Sequence, residues 1–138
     1  MVSVWVLVIV AGIDPGVTTG CVLVELLEGQ VRVIEHRQIK ALPVLMAWLH
    51  SLPEMGAVIV EDYIGSGHRH SYTIVTIQVI GAIKGWAAMH AQPLTMETPQ
   101  KRKPFVKAAR KALNVKHADR HAADALAHVL SWDHRRKK

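Results

Sequence analysis

The chain has 138 residues, 50% of them hydrophobic and 20% charged, with one cysteine. That is enough to bury a core without disulfide or metal staples, and the composition excludes a disordered, collagen-like or disulfide-scaffold protein. Seventeen Lys and Arg against eleven Asp and Glu give a net charge of +6, which favours a polyanionic partner, nucleic acid before an anionic membrane.

The opening VSVWVLVIVAG has no basic leader and is too short to cross a bilayer before IDPG turns the chain, so it reads as a strand over 2–13 buried on both faces. GVTTG leads into a second strand, CVLVELL, and EGQ reverses it into a third, VRVIEHRQI, which makes an antiparallel meander. Cys21 in that second strand reads as a small buried hydrophobe in a reducing compartment. ALPVLMAWLHSLPE has helical spacing and ends near Pro53, and the β-branched run GAVIVEDYI is a buried fourth strand with which parallel pairing begins. After the loop GSGHRH, Ser71 is placed to cap a helix through YTIVTIQVIGAIKGWAAMHA. QPLTMET is a fifth strand, TPQKRK a basic loop, PFVKAARKAL a helix opened by proline, and HADRHAADALAHVL the last helix. The order βββαβαβαα predicts one α/β domain over 1–138, with a mixed sheet of three antiparallel and then two parallel strands flanked by helices.

The last helix carries an unusual stripe. At about 100° per residue, His121, Asp124 and His128 fall at roughly 0°, 300° and 340°, while Ala122, Leu126 and Val129 occupy roughly 80° to 140° for packing. Asp119 lies about 160° from His121 and suits an N-cap. His128, one turn beyond Asp124, either supports a site from behind or caps its edge.

Two further acids end apolar strands: Asp14 the first and Glu61 the fourth. If those strands are neighbours, their ends meet at one sheet edge, and the last helix can bring His121 and Asp124 against them. Asp62 then points to the opposite face. Few basic residues lie within these segments to neutralise them. Converging carboxylates repel, so such a cluster calls for a cation, and hard oxygen donors favour Mg²⁺, with Mn²⁺ able to substitute. Two such ions about 4 Å apart can clamp a phosphodiester for hydrolysis. Taken singly, each residue also has a plainer explanation: Asp14 as a turn aspartate in DPG, Glu61 as a strand-end acid paired with a Lys, His121 as a helix surface residue.

GIDPGVTTG after an apolar strand, VIVEDY at the end of a later one and HAADALAHVL on the final helix resemble, in order, the three catalytic segments of the RuvC-like Holliday junction resolvases of the RNase H-like superfamily. The resemblance implies an RNase H-like fold and an endodeoxyribonuclease that resolves four-way DNA junctions by paired symmetric nicking as a homodimer with two Mg²⁺ per site. It assigns catalysis and metal binding to Asp14, Glu61 and Asp124, with His121 where many members have Asp. It also implies a cytoplasmic enzyme of a bacterial or phage-infected cell, without a membrane segment. Gln78 and Gly81 resemble the Q-x-x-G of the family's middle helix.

Lys101 and Lys103 stand where the family has lysines supporting phosphates, and Lys107, Arg110 and Lys111 continue that positive face. Arg69 in the glycine loop is a further candidate DNA contact, and His68 and His70 beside it are expected to meet phosphate or solvent rather than metal. Ile64 stands where the family places an aromatic near the junction centre, so Tyr63 or Tyr72 would have to stack on bases instead. Other possibilities are a relative acting on RNA, an RNA:DNA hybrid or other branched DNA, and a non-catalytic nucleic-acid binder. DPGVTTG also resembles the nucleotide loop of actin-like ATPases, which bind nucleotide between two such domains where this chain has length for one. A helicase partner and a cleavage motif leave no mark in the sequence.

Overall fold

A computed structural model describes residues 7–62, 73–115 and 120–137. Three strands open it: β1 (Leu7–Asp14), β2 (Thr19–Leu27) and β3 (Gln30–Ile39). Glu28 and Gly29 make the β2–β3 turn with φ of 36° and 80°, the left-handed backbone that a tight hairpin needs and glycine tolerates. Helix α1 (Leu42–Ser51) follows, begun by Pro43 in its first turn. Strand β4 (Ala57–Glu61), α2 (Thr73–Met89) and β5 (Leu94–Glu97) come next. A 3-10 segment (Pro99–Phe105) leads into α3 (Val106–Leu113), and α4 (Arg120–Arg136) ends the described chain.

The strands form one five-stranded sheet in the order β3-β2-β1-β4-β5. β1 pairs antiparallel with β2, β2 antiparallel with β3, and β1–β4 and β4–β5 are parallel. This is the expected mixed sheet, with β1 at its centre. Strand alternation divides the core in two. Ala11, Ile13, Cys21, Leu23, Val58 and Val60 meet α1 and α2 through Leu45, Trp48, Ile83 and Trp86. Val10, Val22, Val24, Ala57 and Ile59 meet α4 through Ala122, Leu126 and Val129.

Three boundaries differ from the sequence reading. TPQKRK is not a loop, because residues 99–105 wind into the 3-10 segment and Pro104 falls inside it rather than opening α3. α4 continues to Arg136 because Ser131 and Asp133 are buried, so packing extends it past the apolar pattern. Asp119 and Ser71, the expected helix caps, and residues 2–6 of the first strand lie outside the described residues. Two of the first N–H groups of α4 are met from a distant strand. Gln38 Oε1 on β3 accepts from His121 N at 3.0 Å and Ala122 N at 3.4 Å.

The approach of α4 to the sheet depends on two glycines. A Cβ on Gly12 would lie 2.6 Å from Val129 Cγ2 and 2.7 Å from the Ala125 carbonyl oxygen. One on Gly20 would lie 2.0 Å from the His121 carbonyl oxygen. Both residues share the sheet face of Val10 and Val22, so the helix backbone rests directly on β1 and β2. No helix among the described residues is long and apolar enough to cross a membrane.

Candidate functional site

Asp14 is the last residue of β1 and Glu61 the last of β4. The two strands are parallel with Ile13 paired to Val60, so both carboxylates emerge at the same level of the same sheet edge, on the face that α4 covers. With α4 seated on Gly12 and Gly20, Asp124 and His121 come down onto that edge. Asp14, Glu61, His121 and Asp124 all line one cavity of about 490 Å³. The convergence expected from the sequence is therefore present.

The acids are crowded and largely dry: Asp14, Glu61 and Asp124 are 7%, 2% and 8% exposed. Burial, then repulsion from Glu61 and the hydrogen bond it shares with that residue, hold the Asp14 carboxyl well above the ordinary carboxylate range. Burial pushes Glu61 the same way, but hydrogen bonds with His128 and Asp14 and the charge of Arg102 outweigh it and bring its carboxyl below the usual value. Asp124 is raised, by burial first, with Glu61 adding to the shift against the opposing charge of Arg102. The His121 ring, whose Nδ1 is 3.4 Å from Asp14 Oδ2, is lowered by burial and then by Arg120. That favours the neutral imidazole, which keeps a lone pair for a metal or a proton.

Two residues that the sequence reading did not single out shape the site. Arg102, on the 3-10 segment, reaches into the cavity, where its guanidinium pairs with Glu61 Oε1 and lies 3.7 Å from Asp124 Oδ1. The cluster thus draws its main counter-charge from outside the segments that carry the acids. The residue sits between Lys101 and Lys103 in sequence, and only the 3-10 winding turns its side chain inward. Arg120 also lines the cavity.

Glu97 is the second such find. It ends β5 in register with Glu61 and is 4% exposed. His128, fully buried, spans the two: its Nε2 is 2.9 Å from Glu61 Oε1 and its Nδ1 2.9 Å from Glu97 Oε1. His128 therefore stands behind the site rather than at its edge. Glu97 Oε2 makes an ion pair with Arg135 but no aligned hydrogen bond. The MET of LTMET resembles any short strand end, so nothing in the sequence marked Glu97.

Among the described residues, no three His, Cys, Asp or Glu side chains are spaced to hold a metal ion, and Arg102 contacts both Glu61 and Asp124. The chemistry of the donor set does fit a hard divalent cation: three carboxylates and one imidazole, with two of the acids held up by burial first and by the charge of Glu61 in addition. Asp14, Glu61, Asp124 and His121 are the residues that would hold it once Arg102 gives way.

Lys101, Lys103 and Lys107 are exposed, on the 3-10 segment and on α3, beside Arg102 but outside the cavity lining. Tyr63, Ile64, His68, Arg69, His70 and Tyr72 lie outside the described residues. Asp62 does not line the cavity, and its N–H donates to the Glu97 carbonyl at 2.6 Å. Cys21 is fully buried, as expected.

No protein-family profile and no curated protein matches the chain. Solved structures do. RuvC of Thermus thermophilus in complex with a Holliday junction substrate superposes with a TM-score of 0.73 at 24% identity, over 94% of this chain and 95% of that one. The fold is that of RuvC. A second structure of the T. thermophilus protein gives a TM-score of 0.73 at 22% identity over the same shares. At these identities the likeness is one of architecture, the RNase H-like arrangement of a mixed sheet between helical layers.

Proposed function

We propose that the chain is a divalent-cation-dependent endonuclease of one domain that resolves four-way DNA junctions. The observation that carries this reading is the meeting of Asp14, Glu61 and Asp124 in one cavity at the edge of β1 and β4. The RuvC fold supports it, since the neighbour of that fold is bound to a Holliday junction. Asp14, Glu61 and Asp124 would hold Mg²⁺, two ions per site, and His121 would bind the metal or orient water. When bound, Mg²⁺ or Mn²⁺ supplies a water of lowered pKa and stabilises the departing oxygen. Displaced from the acids, Arg102 is free to pair with a phosphate beside Lys101 and Lys103.

A single site cuts one strand, so paired nicking needs two copies. In support, α2 leaves a face open in which Ile74 and Ile77 are 64% and 47% exposed, and a Cβ on Gly81 or Gly85 would meet nothing within 4 Å. A second copy laid along that face would bury it. The enzyme would work in the cytoplasm of a bacterial or phage-infected cell, where Cys21 stays reduced.

The test offers labelled junction, flap, RNA:DNA hybrid and linear duplex in competition, with Mg²⁺ and several junction sequences. Symmetric paired nicks on the junction are expected. Cutting only of hybrid would move the reading to an RNA-directed nuclease, and tight junction binding without nicks in any context would move it to a non-catalytic binder.

A further inference from the structure

Glu61 and Glu97 are paired across parallel strands, and both side chains are 2% exposed. Two acids so placed would repel and turn apart unless something held them. His128 does so with both ring nitrogens, each 2.9 Å from a carboxylate oxygen. Each of these N···O contacts needs a proton, so the ring and the two acids carry two bridging hydrogens in any tautomer. Behind Glu97, Arg135 pairs with its second oxygen and also donates to Ser131 Oγ, which ties the far end to α4. The result is a continuous chain from the cavity wall through the buried Glu61, His128 and Glu97 to the half-exposed Arg135 near the end of the helix.

Only one oxygen of Glu61 is taken by this chain. His128 and Arg102 both contact Oε1, which leaves Oε2 outside the bridge. A carboxylate anchored through one oxygen has little freedom to rotate its other. Neither His128 nor Glu97 lines the cavity, so neither can touch a substrate there.

Resting on the nuclease reading above, we infer that His128 and Glu97 are positioning residues that fix the Glu61 carboxylate for cation binding. Glu97 acts through His128, and His128 acts through Glu61. The two form a mechanical link between β5, β4 and α4, so the metal-binding geometry of β4 depends on the seating of a residue one turn past Asp124.

The test uses the full chain with Glu97→Gln and His128→Gln, and with Mn²⁺ as the probe. In ¹⁵N spectra of the wild type, the ring protons that bridge His128 to its carboxylates should exchange slowly in whichever tautomer the ring adopts, and Glu97→Gln should shift Nδ1 while folding is kept. Mn²⁺ affinity by calorimetry, well below the melting temperature, should fall by about tenfold in each variant, as is usual when the partner of a metal ligand is lost. Junction affinity without metal should stay within about twofold, because no phosphate-facing group changes. Rapidly exchanging ring protons, or folded variants with wild-type Mn²⁺ affinity, would overturn the inference. Glu97→Gln keeps the shape of the side chain if His128→Gln does not fold. A wild type that binds no Mn²⁺ would defeat the nuclease reading itself, and the bridge would then stand or fall on its ring signals.

Discussion

Replacing Gly20 by alanine tests how closely the site depends on the seating of α4. The new Cβ would lie 2.0 Å from the His121 carbonyl oxygen, 2.1 Å from its carbon and 2.5 Å from Ala122 N. These are backbone atoms and cannot swing aside. Ordinary contact begins at 3.4 Å, so the first turn of α4 must retreat by about 1.4 Å or β2 must bend. Overpacking of this kind costs about 1–3 kcal/mol, and loss of the Gln38 bonds to His121 and Ala122 adds about 1 kcal/mol. A total of about 2–4 kcal/mol is therefore expected from urea unfolding of Gly20→Ala against wild type. The same retreat draws His121 and Asp124 away from Asp14 and Glu61. A displacement of about 1 Å at a reacting centre costs about a hundredfold in rate, to be read as junction cleavage by the variant at a temperature where it remains folded. An alanine variant that unfolds at the wild-type urea concentration and cuts normally would refute the close packing of α4 on β2 and the dependence of the site on it.

Asp14→Asn should retain junction affinity and lose cutting by at least about a hundredfold. Because the Asp14 carboxyl is held above its ordinary 3.8, the stability it contributes is complete below about pH 3.8 and is lost as pH rises through the folded value. Without divalent cation, Asp14→Asn should thus melt no lower than wild type near neutral pH, with any advantage shrinking on acidification; a marked drop in melting temperature at neutral pH would contradict the crowding of the acids. Arg102→Met should lower metal-free stability by about 1–3 kcal/mol, because paired buried carboxylates lose their counter-charge, and should tighten Mn²⁺ binding by calorimetry; weaker binding would show that Arg102 does not compete for the site. Lys101→Ala, Lys103→Ala and Lys107→Ala should leave the melting temperature unchanged and each reduce the salt slope of junction binding by about one, with an unchanged slope assigning that lysine to solvent. Gly81→Ala should stabilise an isolated chain by about 0.5–1 kcal/mol, as glycine does poorly inside an exposed helix. If α2 faces a second copy, the same change should weaken the dimer in sedimentation, and stabilisation with an intact dimer would move the interface elsewhere.

The order of elements, the mixed sheet and the main members of the site were legible in the sequence because they rest on local rules. Apolar runs of strand length, turn residues and helical spacing act over a few residues, and an acid ending an apolar strand is conspicuous because unpaired carboxylates are rarely buried. Asp14, Glu61 and Asp124 met that description, and His121 shared the helix stripe with Asp124. Arg102, Glu97, Gln38 and Gly20 did not stand out. Arg102 is one cation in a basic run until a 3-10 turn directs it inward. Glu97 becomes important only through the register of β5 on β4, and Gln38 caps α4 from a strand more than 80 residues earlier. The amino-acid sequence alone determined which side chains of this protein can do chemistry. The tertiary structure decided which of them meet, which charge stands among them and what holds Glu61 in place, because those depend on register and helix seating between segments distant in the chain.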